Sequence, residues 1–178
     1  MDLEALQDVA LAGAGERSLE AVLTCIVEGL RRQDGVALAR IWLIDRGDRC
    51  QSCPLASSCA DRRRCLHLVA SGGRSLDVGT DWSGREGRFS RLPLSVRKVG
   101  TIAATGTGLL INDLASDHWA DTDWVAREQI VAFAGQPLVF RGETLGVVAI
   151  FRRPAITSDV FRWLRALADY AAVAIAHA

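Results

Sequence analysis

The sequence has no excess of either charge: 21 lysines and arginines balance 21 aspartates and glutamates in 178 residues. A dedicated nucleic-acid domain normally carries a strong basic excess, so direct nucleic-acid binding is not expected. A long hydrophobic run is also lacking. The longest stretch without a charge, Val99–Asn112, is 14 residues and is broken by glycines, too short to span a bilayer. The opening residues MDLEALQDVA carry acids where an export signal needs a basic start and an apolar run, which predicts a cytoplasmic protein. There is no internal repeat or low-complexity tract. Glycine and proline together make up only 20 residues, against 49% apolar and 24% charged, which fits one globular domain rather than a disordered or fibrous chain.

What is present in unusual density is cysteine. Four of the five lie within one 16-residue window, Cys50, Cys53, Cys59 and Cys65, spaced C-x2-C-x5-C-x5-C. In a reducing compartment such clusters are metal ligands or redox groups more often than disulfides. Four thiolates can close the tetrahedral shell of a zinc ion or hold an iron–sulfur cluster. Pro54 fixes the chain just after the second cysteine, as in many iron–sulfur runs. Arg49, Arg62, Arg63 and Arg64 flank the window and would offset thiolate charge. The stretch from 46 to 64 has few apolar residues, and loops of that length are uncommon in compact domains unless something organises them. Free thiols on a mobile loop are the plainer alternative. His67 is either a substitute ligand or, from the alternation of LHLVAS, a strand residue. Cys25 falls beside a helical stripe and reads as a packed thiol.

Hydrophobic periodicity gives the elements. A weak helix over Leu3–Leu11 precedes a strong one, with Leu19, Val22, Leu23, Ile26, Val27 and Leu30 on one stripe. Ser18 or Glu16 would open it. Val36–Ile44 (VALARIWLI) and Leu66–Ser71 read as strands, the second followed by a turn at Gly72-Gly73. Residues 74–98 have no clear period. Thr101–Gly106 reads as a short helix stopped by glycine, Leu109–Ile111 as a short strand and Trp119–Phe133 as a helix. Gly135–Phe140 and Thr144–Arg152 form a hairpin around Arg141-Gly142-Glu143. A last helix starts near Ser158, capped by Thr157-Ser158-Asp159, with Phe161, Leu164, Leu167, Ala168, Ala171, Ala174 and Ile175 on its stripe. The order predicts an α+β fold, a mostly antiparallel sheet with helices packed on it. Asp117-His118 with Asp121 and Asp123 can bind a cation or simply open a helix. Arg85, Arg88, Arg91, Arg97 and Lys98 form a basic run that either reaches an anionic ligand or partner or stays solvated.

Three segments carry a family resemblance. Val99–Leu114 (VGTIAATGTGLLINDL) resembles the part of GAF domains where a short helix ends in glycine and a strand follows. Gly135–Phe151 (GQPLVFRGETLGVVAIF) resembles the paired strands late in that fold. The tail WLRALADYAAVAIAHA resembles its closing helix, which in multidomain sensors continues into the next module. With the Leu19–Leu30 helix and the first strand, the resemblance covers residues 16–178. It leaves 1–15 as an N-terminal helix or extension and a cysteine-rich insertion at about 46–65. It implies a GAF-like central antiparallel sheet, with the N- and C-terminal helices bundled on one face.

The resemblance also implies a regulatory module that binds a small molecule, a metal or a chromophore, or dimerises, and signals to an attached output domain. The family's ligand pocket would include Trp82, Phe89, Ile102, Trp119, Trp124 and Phe133 here, residues whose plainer role is packing. The Asn-Lys-Phe-Asp-Glu set of the cyclic-nucleotide subgroup is missing. So are the Asp-x-Pro motif and the adjacent Cys-His of the bilin photoreceptors.

The expected function is therefore a cytoplasmic sensory domain of a signalling or transcription-regulatory protein, without catalysis of its own. It would bind a small ligand, a four-cysteine zinc or iron–sulfur centre, or both, and relay their state through the terminal helices. Expected partners are a second copy, through those helices, and an output domain, but not nucleic acid or membrane. The alternatives are a thiol-dependent reductase of free methionine sulfoxide and a purely architectural dimerisation module.

Overall fold

A computed structural model describes residues 3–15 and 18–178. The chain runs α1 (Leu3–Ala14), α2 (Leu19–Arg31), β1 (Val36–Arg46), β2 (Arg64–Gly73), β3 (Arg91–Pro93), α3 (Arg97–Thr105), β4 (Leu109–Ile111), α4 (Thr122–Arg127), β5 (Ala132–Phe140), β6 (Glu143–Arg152) and α5 (Ser158–His177). Short 3-10 turns lie at Ala56–Ser58 and Leu114–Ser116. The six strands form one sheet in the order β3-β2-β1-β6-β5-β4, with every neighbouring pair antiparallel.

The two central strands, β1 and β6, are buried on both faces, which is why GVVAIF reads as a continuous apolar run and VALARIWLI as one interrupted only by Arg40. Along β1, Ala39 and Ile41 face the helices while Leu38, Arg40 and Trp42 face the other side. Along β6, Val148 and Ile150 face the helices, and Val147, Ala149 and Phe151 face away. Two cores result. One lies between the sheet and the bundle of α1, α2 and α5, through Val22, Ile26, Leu30, Leu164, Leu167 and Ala171. The other lies under α3, α4 and the connecting loops, through Leu66, Leu92, Ile102, Leu114, Phe133 and Val147.

Local chemistry explains the ends of the elements. The Ser18 side chain accepts from the Ala21 N–H and caps α2; the other predicted opener, Glu16, lies outside the described residues. The Thr157 side chain accepts from the Val160 N–H and caps α5. Gly106 takes the left-handed backbone (φ 65°) that ends α3. Arg141 and Gly142 both have positive φ, the primed turn that suits the right-handed twist of the β5–β6 hairpin.

The structure corrects several sequence expectations. Gly72-Gly73 is strand, not turn. A Cβ on Gly73 would lie 2.3 Å from the Ala37 carbonyl oxygen of β1, so these glycines permit close pairing. The Trp119–Phe133 helix shrinks to Thr122–Arg127. Gln129 adopts a left-handed φ of 54° just after it, and Phe133 belongs to β5, which begins at Ala132 rather than Gly135. α3 begins at Arg97 rather than Thr101. The unpatterned stretch contains β3, whose pairing with Cys65, Leu66 and His67 is a tertiary contact.

Leu164 is fully buried at the centre of the helix-side core. We expect Leu164→Ala to lower unfolding stability by about 2–5 kcal/mol, read as a lower midpoint in urea at an unchanged denaturant slope.

Candidate functional site

Two cavities lie near β3, on different chemistries. The first is at the root of the loop joining β1 to β2. All four clustered cysteines line it, with Gly47, Ala56, Asp61, Pro93 and the cations Arg49, Arg62, Arg64 and Arg91. Its volume is about 20 Å³. The β1–β2 ladder continues to the loop root through the Gly47 N–H, which donates to the Arg63 carbonyl at 2.8 Å. Any side chain at Gly47 would place its Cβ 2.6 Å from the Arg62 carbonyl oxygen and 2.8 Å from the Cys50 sulfur. The loop is also pinned by Leu55, which is buried in the core together with part of Cys53.

Each of the four cysteines is half-buried, and none of the five in the chain forms a disulfide. Cys50 donates to the Arg62 carbonyl at 3.4 Å and Cys59 to the Asp61 carbonyl at 3.2 Å. Burial pushes the Cys65 thiol up to about 11, and the neighbouring Asp48, Cys50 and Cys53 add to that against the pull of Arg91. Burial, then Cys50, raises Cys59. Cys59 and Cys65 thus resist ionisation on their own; a bound metal would reverse that, because coordination deprotonates a thiol outright. Among the described residues, no three of the four cysteines bring their sulfurs within 4.8 Å of one another.

Cys65 instead stands within that distance of Asp48 and His67. Asp48 is held by both sides of the Arg91 fork, at 2.6 and 2.7 Å, which keeps its carboxyl well below the usual range. His67 donates from Nε2 to the Arg46 carbonyl at 2.9 Å. It is a strand residue of β2, and its ring meets the edge of the cysteine site.

The second cavity lies between the sheet and the segment from β3 to α4, in two adjoining lobes of about 90 and 190 Å³. Arg40, Phe89, Asp121, Trp124 and Phe151 line both lobes. Of the six sequence-derived pocket residues, Trp82, Phe89, Trp119, Trp124 and Phe133 line one lobe or the other. Ile102 does not: it is buried in α3, packed on Gly135. The rings form a continuous wall, with Trp82 on Trp124 at 5.6 Å, Trp124 on Phe151 at 5.4 Å and Phe151 on Phe133 at 5.2 Å. The Trp42 indole N–H donates to the Phe89 carbonyl at 3.0 Å.

The basic run divides between the two cavities. Arg91 serves the cysteine site, while Arg97 and Lys98 line the aromatic one. Arg97 stacks 5.0 Å from the Phe89 ring and donates to the Trp119 carbonyl at 2.9 Å. Ser95 and Arg97 both hold left-handed backbone, at φ 66° and 59°, a conformation costing about 1–3 kcal/mol each. Lys98 and Asp117 form a buried pair at 2.5 Å, and Asp121 accepts from the Trp124 N–H to cap α4. The acids near Trp119 therefore work as a counter-charge and a helix start.

Sequence reasoning missed Arg40, the one charge in the middle of β1. A second missed residue is Glu128, 3% exposed, which accepts from Ser75 Oγ at 2.6 Å and the Leu76 N–H at 2.8 Å, with Arg153 at 3.7 Å. It ties down the loop that carries Trp82 over the cavity. Burial alone would raise its carboxyl, but the bonds from Ser75 and Leu76 and the charges of Arg153 and Arg127 outweigh it and hold the carboxyl below its ordinary value.

The GAF domain family is matched over residues 18–175, and the chain belongs to that family. Solved structures with the same fold include the GAF domain of a phosphoenolpyruvate-protein phosphotransferase from Acinetobacter, at 18% identity and a TM-score of 0.68, covering 98% of this chain and 92% of that one. The free methionine-R-sulfoxide reductase from Neisseria meningitidis is similar at 16% identity and a TM-score of 0.70, covering 98% and 87%. The nlh2 GAF domain of A. aeolicus, in an inactive state, is similar at 15% identity and a TM-score of 0.69, covering 98% and 94%. No curated protein matches the sequence. No helix among the described residues is long and apolar enough to cross a membrane.

Glu128 stabilises the fold at pH above the ordinary glutamate value, and that contribution is lost as pH falls through its lowered folded value. We expect Glu128→Gln to cost about 1–3 kcal/mol at pH 7, with the gap from the parent protein narrowing in urea titrations below about pH 4.

Proposed function

We propose that this chain is a cytoplasmic regulatory GAF domain that holds a metal centre on Cys50, Cys53, Cys59 and Cys65 and a small molecule in the aromatic cavity. The observation that carries the metal reading is that a 16-residue window brings all four thiols to the wall of one cavity, ringed by four arginines. Pro54 directly after Cys53 leans the reading to an iron–sulfur cluster over zinc. Zinc bonds sulfur at about 2.3 Å, so a tetrahedral site needs sulfurs about 3.8 Å apart, and this loop would have to tighten to reach that. A cluster needs more room than a single ion, so for it the loop would have to open from its cavity of about 20 Å³. When bound, such a cluster supplies sensitivity to oxygen, nitric oxide or redox poise. The cysteine loop joins β1 and β2, and both strands pack on α2 of the terminal helix bundle, a route from the centre to an output domain.

A homodimer through the terminal helices belongs to the same reading, supported by the exposed Leu11 on α1 and Val173 on α5. No catalysis, nucleic-acid contact or membrane contact is assigned to the domain. The sulfoxide-reductase alternative has the fold of the Neisseria enzyme in its favour, but no cysteine lines either lobe of the aromatic cavity, where thiol chemistry on a small substrate would take place.

Anaerobic purification followed by metal analysis and absorption spectroscopy tests the proposal. We expect iron, sulfide and visible absorbance, all lost in Cys50→Ser and Cys65→Ser. One zinc per chain would replace the cluster with a structural site, and colourless metal-free protein would overturn the metal reading.

A further inference from the structure

Arg40 is a cation placed where a folded chain rarely leaves one. It lies in the middle of β1, paired across the sheet with Ser71 of β2 and Ala149 of β6, and its side chain enters both lobes of the aromatic cavity. Its Nε donates to Ser71 Oγ at 3.1 Å, and that hydroxyl in turn donates to the Trp82 carbonyl. Among the described residues the two terminal nitrogens have no hydrogen-bond partner, and no carboxylate is within ion-pair distance. Burial is the one influence on its ionisation, lowering it to about 10. Arg40 is half-buried, so its terminal nitrogens face the water of the cavity rather than a counter-charge, whereas the lysine and the carboxylate beside it are held by protein partners. Lys98 is paired with Asp117. Asp121 caps α4 and acts on Arg97 rather than on Arg40.

We propose that the aromatic cavity takes a small carboxylate with an aromatic or other flat apolar body, its anionic head gripped by Arg40. The proposal rests on the reading above that this cavity receives a small molecule, and it names the class. With Nε held by Ser71, the guanidinium presents its two terminal nitrogens side by side, the fork that matches both oxygens of a carboxylate. The body of the ligand then lies against Trp82, Phe89, Trp124 and Phe151, which offer ring faces and edges but few hydrogen bonds. Arg97 supplies a second positive charge on the wall of one lobe, so the cavity attracts an anion and disfavours a cation.

Benzoate and its neutral counterpart benzamide separate the possibilities, with binding read by tryptophan fluorescence and by calorimetry on the whole chain. We expect benzoate to bind at least tenfold more tightly than benzamide. Arg40→Gln should weaken benzoate at least tenfold, leave benzamide within twofold and erase the preference; Arg40→Lys should restore part of it. The comparison on the unaltered protein stands if the Gln variant does not fold. Equal binding of the two probes overturns the anion assignment and leaves the small-molecule reading intact. Loss of benzoate in Arg97→Gln but not in Arg40→Gln also overturns it. Binding of neither probe overturns both.

Discussion

The structure depends on burying both faces of one antiparallel sheet. β1 and β6 sit at its centre, and each alternates its side chains between a helix bundle and a layer of short helices and loops. Burial on the first face is dense and almost wholly apolar, Gln136 of β5 being the exception, and it holds the register of the central strands, since a slip of one residue would exchange the two sets of side chains. Arg40, for example, would be driven into the helix-side core. The second face is where the chain departs from close packing. There a cluster of aromatic rings joins the aliphatic core, the covering segments are short, and both cavities open beside it.

The two cavities share the edge strand β3. Arg91 and Pro93 line the cysteine cavity while Leu92, between them, lines the aromatic one. β3 is only three residues long and pairs on one side with β2, so it is among the least restrained parts of the sheet. The ion pair of Arg91 with Asp48 ties it to the root of the cysteine loop. A rearrangement of that loop bears directly on the strand that also walls the aromatic cavity, and then on the strained turn carrying Arg97. A shared, lightly held strand is a physical basis for coupling two sites.

Much of this was legible in the sequence. The both-face-buried strands stand out as apolar runs, broken in β1 by Arg40 alone, the helix stripes are regular, and the glycine stop after α3 and the Arg141-Gly142 turn follow from local backbone chemistry. The cysteine spacing also predicts that the four thiols share one neighbourhood, and all four line one cavity. What stayed hidden was set by tertiary contact. β3 is strand because β2 lies beside it, and Gly72-Gly73 extends β2 because β1 needs the room. The Asp48–Arg91 clamp joins residues far apart in the chain. Phe133 moved from a predicted helix to β5 because Val125, Ile130, Val131 and Phe133 mimic a helical stripe across a left-handed residue. Arg40 had a signal that composition alone blurs: a charge at the centre of a strand otherwise buried on both faces.

The central claim is that a metal organises residues 47–63 against an otherwise self-sufficient fold. Hydrogen–deuterium exchange on the anaerobically isolated protein, before and after metal removal by chelation, tests it most directly. The account predicts that amides from Gly47 to Arg63 exchange much faster once the metal is gone, while those of Ile41 on β1 and Val148 on β6 keep their protection. Unchanged exchange across the loop would contradict it.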